Sequence, residues 1–337
     1  MSTTDTMKAA RLHLGGHKLV VEEVPRPEPG PGEIRIQVRA AGVCLSDVHL
    51  VEGMIAPQFL DGDVVTLGHE VSGVVDRLGD GVSGPPVGTR VLLQAGHRTP
   101  YGRVLTRGVD YDGGYAEYAV ALAHTVVPIP DTLSFEQAAI IPDAVSTPWA
   151  AISSTAKVHA GEAVGVWGLG GLGTHAVQLL RMAGAAPIIA IDPLEAARER
   201  AREVGADAVA GPDDAAAVIA ELAPDGLAAA FDFAGVPAVR SQALAALSLH
   251  GRLVVVGLAG RGIEIPNDTA FAFRGQQVAG HYGSEGTHVL ELVRLAGLGR
   301  FDLSGSITDT FPLDEAPAVI ERLERKEGNP IRFVLHP

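Results

Sequence analysis

The segment AVGVWGLGGLGTHAVQLLRMAG, residues 163–184, decides the fold of the second part of the chain. It begins as a strand-length apolar run, turns through glycines at Gly168, Gly170 and Gly173, and continues at once into a helical pattern. Strand, G-x-G-x-x-G turn and helix in that order suit a pyrophosphate: glycine permits a tight turn and close backbone approach, and the start of the helix, here Gly171 and Leu172, offers free N–H groups at the positive end of a dipole. In a chain with 41 glycines the motif alone carries little. Its context carries it.

Further strand candidates follow: PIIAID, ADAVAG, LAAAFDF, RLVVVGL and QQVAGHY. Between them lie alanine-rich, helix-length stretches such as THAVQLLRMAG and LEAARERAREVG. Six strands with intervening helices predict a doubly wound parallel sheet of the Rossmann kind, in an α/β chain. The second strand ends in Asp192, about 20 residues after the last motif glycine, where a carboxylate accepts hydrogen bonds from a ribose diol and repels a 2′-phosphate. Pro193, Leu194 and Glu195 follow, with no basic residue before Arg198. NAD is therefore expected in preference to NADP. Asp192 can also cap the helix LEAARERAREVG, a role compatible with the first. Val256, at the end of RLVVVGL, completes the candidate cofactor set.

Before this region the period changes. In EIRIQVRAAG, residues 33–42, Ile34, Ile36, Val38 and Ala40 alternate as in a half-buried strand. The turn-rich PRPEPGPGE precedes it, and VSGVVDRLG and GTRVLLQ add short apolar runs broken by glycine, which predict a compact, irregular β domain. A late helix, THVLELVRLAG, and a terminal strand, PIRFVLH, are expected to return to that domain. The 337 residues, 47% of them hydrophobic, can fill two cores. We expect one domain over residues 1–146 with 283–337 and a second over 147–282.

A net charge of -14 repels nucleic acid phosphates and anionic lipid head groups, so neither nucleic acid nor membrane is an expected partner. MSTTDTMKAARLHLGG has no apolar core of signal-peptide length, and no run reaches the about 18 apolar residues of a membrane span. One cysteine cannot form an intrachain disulfide, which fits a reducing compartment. The chain is expected to be cytoplasmic.

That cysteine, Cys44, lies in GVCLSDVH beside a serine, an aspartate and a histidine. Taken alone it reads as a small buried hydrophobe. The stretch GHEVSGVVDRLGDGV, residues 68–82, opens a second reading. With Gly68, His69, Glu70, Gly73, Gly79 and Val82 in register, it resembles the G-H-E signature of the zinc-dependent alcohol dehydrogenases in the medium-chain dehydrogenase/reductase superfamily. GGYAEY, GLGGLG and GNPIRFVLHP resemble further family segments in the expected order.

The resemblance implies a GroES-like catalytic domain beside the Rossmann sheet, and a hydride exchanged between NAD and an alcohol, with an aldehyde or ketone in the reverse direction. It implies that Cys44 and His69 are ligands of one catalytic zinc per chain. Asp143, in PDAVSTPWA, stands where the third ligand is usually cysteine; thiolate, imidazole and carboxylate are all zinc donors, and three of them leave an open position. Glu70 resembles a glutamate near that metal, Ser46 and His49 a proton relay running by way of the cofactor ribose, and Arg332 an arginine on the cofactor pyrophosphate. Leu45 stands where many relatives carry a basic residue. Ala95, Ile55 and Phe59 fall near the cleft by analogy. A homodimer or homotetramer is also implied.

Two departures accompany the resemblance. The third ligand is Asp143, and QAGHRTPYGRVLTRGVDYD fills the interval where relatives with a structural zinc carry four cysteines. Two alternatives remain at this point: a zinc-free NADPH-dependent enone or quinone reductase of the same superfamily, or a nucleotide-binding protein without catalysis. Such reductases typically lack the Cys44 and His69–Glu70 combination.

Overall fold

In the computed structural model, residues 5–258 and 260–337 are described. The first four residues of the N-terminal stretch read above for a signal lie outside them. The chain divides into two compact units, Met1–Asp143 with Glu285–Pro337, and Ala144–Ser284.

The first unit is built around one long strand, Glu33–Val43. It pairs antiparallel with Glu70–Leu78, with Tyr118–Leu122 along its first half, and with Arg332–His336 at its last residues. Among the described residues the sheet has seven strands; its main path runs Val126–Pro128, Arg90–Leu93, Glu70–Leu78, Glu33–Val43, Arg332–His336, Ile307–Pro312. The last strand of the chain, Arg332–His336, is therefore interior to the sheet, between Glu33–Val43 and Ile307–Pro312.

The alternation in EIRIQVRAAG describes only part of what forms. Ile34, Ile36, Val38 and Ala40 are buried, but so are Arg35 and Ala41. Register shifts at Arg35/Ile36 and Val38/Ala40 are the reason: each bulge moves the next side chain onto the covered face. Arg35 tolerates burial because its guanidinium donates to Asp76 and Glu28 and lies over the Tyr118 ring. Around this strand Leu12, Ile34, Leu50, Leu67, Leu93 and Phe333 form one core, each apolar side chain contributing about 1.5–3 kcal/mol by leaving water.

In the second unit all six expected strands form one sheet: Val164–Trp167, Ile188–Ile191, Ala208–Ala210, Leu227–Asp232, Leu247–Val255 and Gln277–Gly280. Their spatial order is third, second, first, fourth, fifth, sixth, and every pairing is parallel. The first two strands are buried throughout, which is why they read as unbroken apolar runs. The helix Gly171–Ala183 ends at Gly184, whose φ of 85° is the left-handed conformation that stops a helix. Trp167, 1% exposed, directs its indole N–H to Gln242 Oε1 at 2.7 Å, so the largest side chain of the core has no unmet donor. Among the described residues no helix is long and apolar enough to cross a membrane.

Candidate functional site

Cys44 follows the long strand and caps the helix Leu45–Val51. Asp47, three residues on, closes a capping box: its Oδ2 accepts from Cys44 N–H at 2.9 Å. Gly68, with φ +96°, turns the chain into His69, and a Cβ there would overlap the Tyr115 ring. Asp143 sits in the π-helical turn Ile141–Val145, a wider turn of the kind often found at functional sites.

These elements bring three donors together within the first unit. Cys44 Sγ lies 3.3 Å from Asp143 Oδ2, and His69 Nε2 lies 3.5 Å from the same oxygen. One ligand atom from each residue falls within 4.8 Å of the other two. Tetrahedral zinc with bonds of about 2.0–2.3 Å sets its donors about 3.3–3.6 Å apart. The two separations from Asp143 Oδ2 fit the ion, and the donors are one thiol, one imidazole and one carboxylate.

The surroundings hold charge in a dry place. His69 is 4% exposed; burial opposes protonation of its ring, but the carboxylates of Asp47 and Asp143 outweigh it and raise its pKa well above the usual imidazole value. A metal bound at Nε2 would take the place of that proton. Glu70 is fully buried, with Oε1 3.4 Å from Arg332 Nη2. Arg332 is buried as well and donates through Nη1 to Val43 O at 3.0 Å. Burial works against its charge, but Glu70, Cys44 and Asp143 outweigh that and raise its pKa.

Ser46 Oγ lies 3.4 Å from His69 Nε2, at the edge of the three-donor cluster. His49 is on the same short helix and half-buried; burial lowers its pKa, with Glu52 opposing. Leu45, also on this helix, is exposed, Ile55 packs partly against the core, and Phe59 lies under the Arg103 guanidinium. Two neighbours escaped the sequence reading. Asp47 is fully buried with Oδ1 3.5 Å from His69 Nδ1, and Tyr115 OH donates to Asp47 Oδ2 at 2.7 Å. Burial and Asp47 raise the Tyr115 pKa well above the usual phenol value, so the phenol stays a donor. The capping spacing C-x-x-D was the available signal for Asp47; Tyr115 had none.

In the second unit each motif glycine meets a different constraint. Gly168 has φ +87°, and a Cβ would come 2.8 Å from Ala234 N. Gly170, the cap of the helix that begins at Gly171 and Leu172, faces open space, where a ligand can reach the backbone. A Cβ at Gly173 would overlap the Gly168 carbonyl. These are the three uses of glycine in a dinucleotide turn.

Asp192 follows the second strand directly. Its Oδ2 accepts from Leu169 N–H at 2.8 Å and its Oδ1 from Leu194 N–H at 2.9 Å. The helix cap is Leu194, not Asp192, because the chain runs two residues further before Glu195–Glu203 coils. Arg198, the first basic residue after Asp192, folds back so that Nη1 donates to Asp192 O at 2.6 Å, while Nη2 pairs with Glu195. Val256 is buried just beyond the fifth strand, its N–H on Asp232 O.

A β unit of this topology and a doubly wound sheet with a glycine turn, in one chain, define the medium-chain dehydrogenase/reductase architecture. Residues 30–131 match the model of the alcohol dehydrogenase GroES-like domain, and residues 171–296 that of the zinc-binding dehydrogenases. The chain is 34% identical to (R,R)-butanediol dehydrogenase of Bacillus subtilis, over 78% of this chain and 81% of that protein. It is 33% identical to an alcohol dehydrogenase of Geobacillus stearothermophilus, over 96% and 98%. The crystal structure of 2R,3R-butanediol dehydrogenase from Bacillus subtilis superposes with a TM-score of 0.89 at 29% identity, covering 98% of this chain and 99% of that one. The chain belongs to the zinc-binding dehydrogenases of the medium-chain dehydrogenase/reductase superfamily. It is an oxidoreductase of the alcohol dehydrogenase type.

Proposed function

We propose that the chain transfers a hydride between a small alcohol and NAD, with an aldehyde or ketone as the oxidised partner, and holds one catalytic zinc per chain. The observation that carries this reading is the convergence of Cys44, His69 and Asp143. When bound, the metal supplies a Lewis acid for an alcohol oxygen and the nicotinamide a hydride acceptor.

The residues do the rest. Cys44 as thiolate and Asp143 as carboxylate would bring two negative charges and His69 none, so a divalent cation held by them would be balanced and would make an alcohol oxygen beside it a better proton donor. Ser46, beside His69, receives the proton, and His49, with its pKa lowered, is neutral near pH 7 and able to take it onward. Glu70 adds a third carboxylate near the cluster, and Arg332 holds it in position. In the second unit the backbone at Gly168, Gly170, Gly171, Leu172 and Gly173 cradles a pyrophosphate, with Val256 beside it; Asp192 takes the ribose diol and disfavours a 2′-phosphate. On this reading the first unit is the catalytic domain and the second binds the dinucleotide. Arg332, engaged with Glu70 and Val43, reaches a pyrophosphate only with its remaining N–H groups.

A homodimer or homotetramer is supported by the sixth strand, Gln277–Gly280, which ends the sheet, and by Phe273, 86% exposed, with Leu249 and Tyr282 also exposed in that unit. The lone thiol as a metal ligand supports a reducing, cytoplasmic location.

Elemental analysis of the purified protein, followed by a panel of small alcohols with NAD and with NADP, tests the reading. One zinc per chain and NAD-linked turnover are expected. A metal-free protein that reduces enones with NADPH overturns it.

A further inference from the structure

Tyr115 touches both segments that carry the candidate ligands. Its hydroxyl proton is directed at Asp47 Oδ2 at 2.7 Å, with the Gly42 carbonyl at 3.1 Å, on the two sides of Cys44. Its N–H donates to Leu67 O at 2.9 Å, and its ring fills the space above Gly68, directly before His69. Nothing in this contact is solvated: Tyr115 and Asp47 are both 0% exposed.

The division of the Asp47 carboxylate is the informative feature. Oδ2 takes two donors, Cys44 N–H and the Tyr115 hydroxyl, whereas among the described residues Oδ1 and His69 Nδ1 have no hydrogen-bond partner and face one another across 3.5 Å. A buried acceptor and a buried ring nitrogen left in that position can satisfy each other. Ligation through Nε2 requires the proton on Nδ1, and an oxygen held opposite Nδ1 fixes that tautomer and the plane of the ring. With the phenol removed, Oδ2 keeps a single donor and the carboxylate is free to turn.

We propose that Tyr115 is a positioning residue for metal binding: by saturating Asp47 Oδ2 it commits Oδ1 to His69 Nδ1, and so aims Nε2 at the point shared with Cys44 and Asp143. This rests on the reading of those three residues as a metal site. Tyr115 touches neither substrate nor metal.

The experiment compares unaltered protein, Tyr115→Phe and Cys44→Ser. Each is stripped of metal, and its zinc affinity is measured by competition with a chromophoric chelator; the visible absorption of the cobalt-loaded form reports ligand geometry. Unaltered protein is expected to bind one zinc and Cys44→Ser to lose it. Tyr115→Phe is expected to bind zinc about tenfold or more weakly and to show a shifted cobalt spectrum. A merely structural hydroxyl would lower the unfolding midpoint but leave both metal readouts unchanged, and that result overturns the proposal while the site reading stands. Unaltered protein that binds no zinc, or Cys44→Ser that binds it fully, overturns the site reading and the proposal with it. If Tyr115→Phe does not fold, the same readouts on Asp47→Asn decide: unchanged affinity and spectrum there also overturn the proposal.

Discussion

Arg240 and Asp232 form an ion pair that solvent does not reach: Nε donates to Oδ2 at 2.9 Å, and the side chains are 5% and 0% exposed. The other carboxylate oxygen accepts from Ala234 N–H and Gly235 N–H, so the pair also fixes the loop against which Gly168 packs. Asp232→Ala leaves a buried guanidinium uncompensated and should cost about 3–5 kcal/mol. Urea unfolding measures it, and a loss below about 1 kcal/mol would count against burial of the pair as described. Nucleotide binding should weaken in the same variant.

Asp143→Ala should abolish turnover and lower zinc occupancy while far-ultraviolet circular dichroism stays near that of the unaltered protein, because the first unit's core does not include Asp143. The harder oxygen donor should also let cobalt or manganese restore activity more readily than at a two-thiolate site. Full zinc occupancy and activity in Asp143→Ala would remove Asp143 from the ligand set, and two zincs per chain would contradict the single-site reading.

Asp192→Gly should weaken NAD and narrow the preference over NADP, since the repelling carboxylate is gone and Arg198 remains at the strand end. Catalytic efficiency with each cofactor measures this. Unaltered protein already preferring NADP tenfold or more would show that Asp192 does not set the choice.

Ser46→Ala should lower turnover by about 10² or more, the loss of one proton-transfer step. Burial lowers the His49 pKa from 6.5, so the ring keeps its lone pair further into acid than a free imidazole does. His49→Gln should accordingly slow alcohol oxidation chiefly at low pH, where hydroxide cannot replace it. A variant slowed equally at every pH would exclude His49 from the relay.

Acid should weaken the second unit through Glu162. Burial alone would raise its pKa from 4.5, but Arg252, whose guanidinium also holds Ala228 O, and the His159 N–H outweigh that and lower it. A carboxylate with a depressed folded pKa contributes stability that is complete above about 4.5 and disappears as pH falls through the lower folded value. The gap in urea midpoint between unaltered protein and Glu162→Gln should therefore be constant near neutrality and close below pH 4.5. A gap that persists unchanged in acid would show that the contact is packing, not charge.

The sequence was most readable where its signals are local. Strand, glycine turn and helix occupy consecutive residues, and the first two strands of the second unit could be located because burial on both faces writes them as apolar runs. The contact of Arg198 with Asp192 O, six residues apart, has no mark in the sequence because it forms only once the chain coils after the strand. The contacts of Asp47 with His69 and Tyr115, and the Glu70–Arg332 pair, are long-range relations. No periodicity carries them; only the meeting of distant strands makes them. Asp143 was reached through family resemblance alone, since a carboxylate 99 positions from Cys44 has no spacing to mark it. The bulges in Glu33–Val43 are likewise set by the neighbouring strands.

The position of Arg332–His336 in the first unit's sheet sets an order of events during synthesis. Residues Ala144–Ser284 leave the ribosome as one uninterrupted piece and can fold when its last strand emerges. The other unit has to wait, because the strand that pairs with the end of Glu33–Val43, and brings Arg332 to Glu70, is translated after everything else it contacts. For that interval the edge of the long strand is bare, and the nascent chain carries an incomplete sheet beside a finished one.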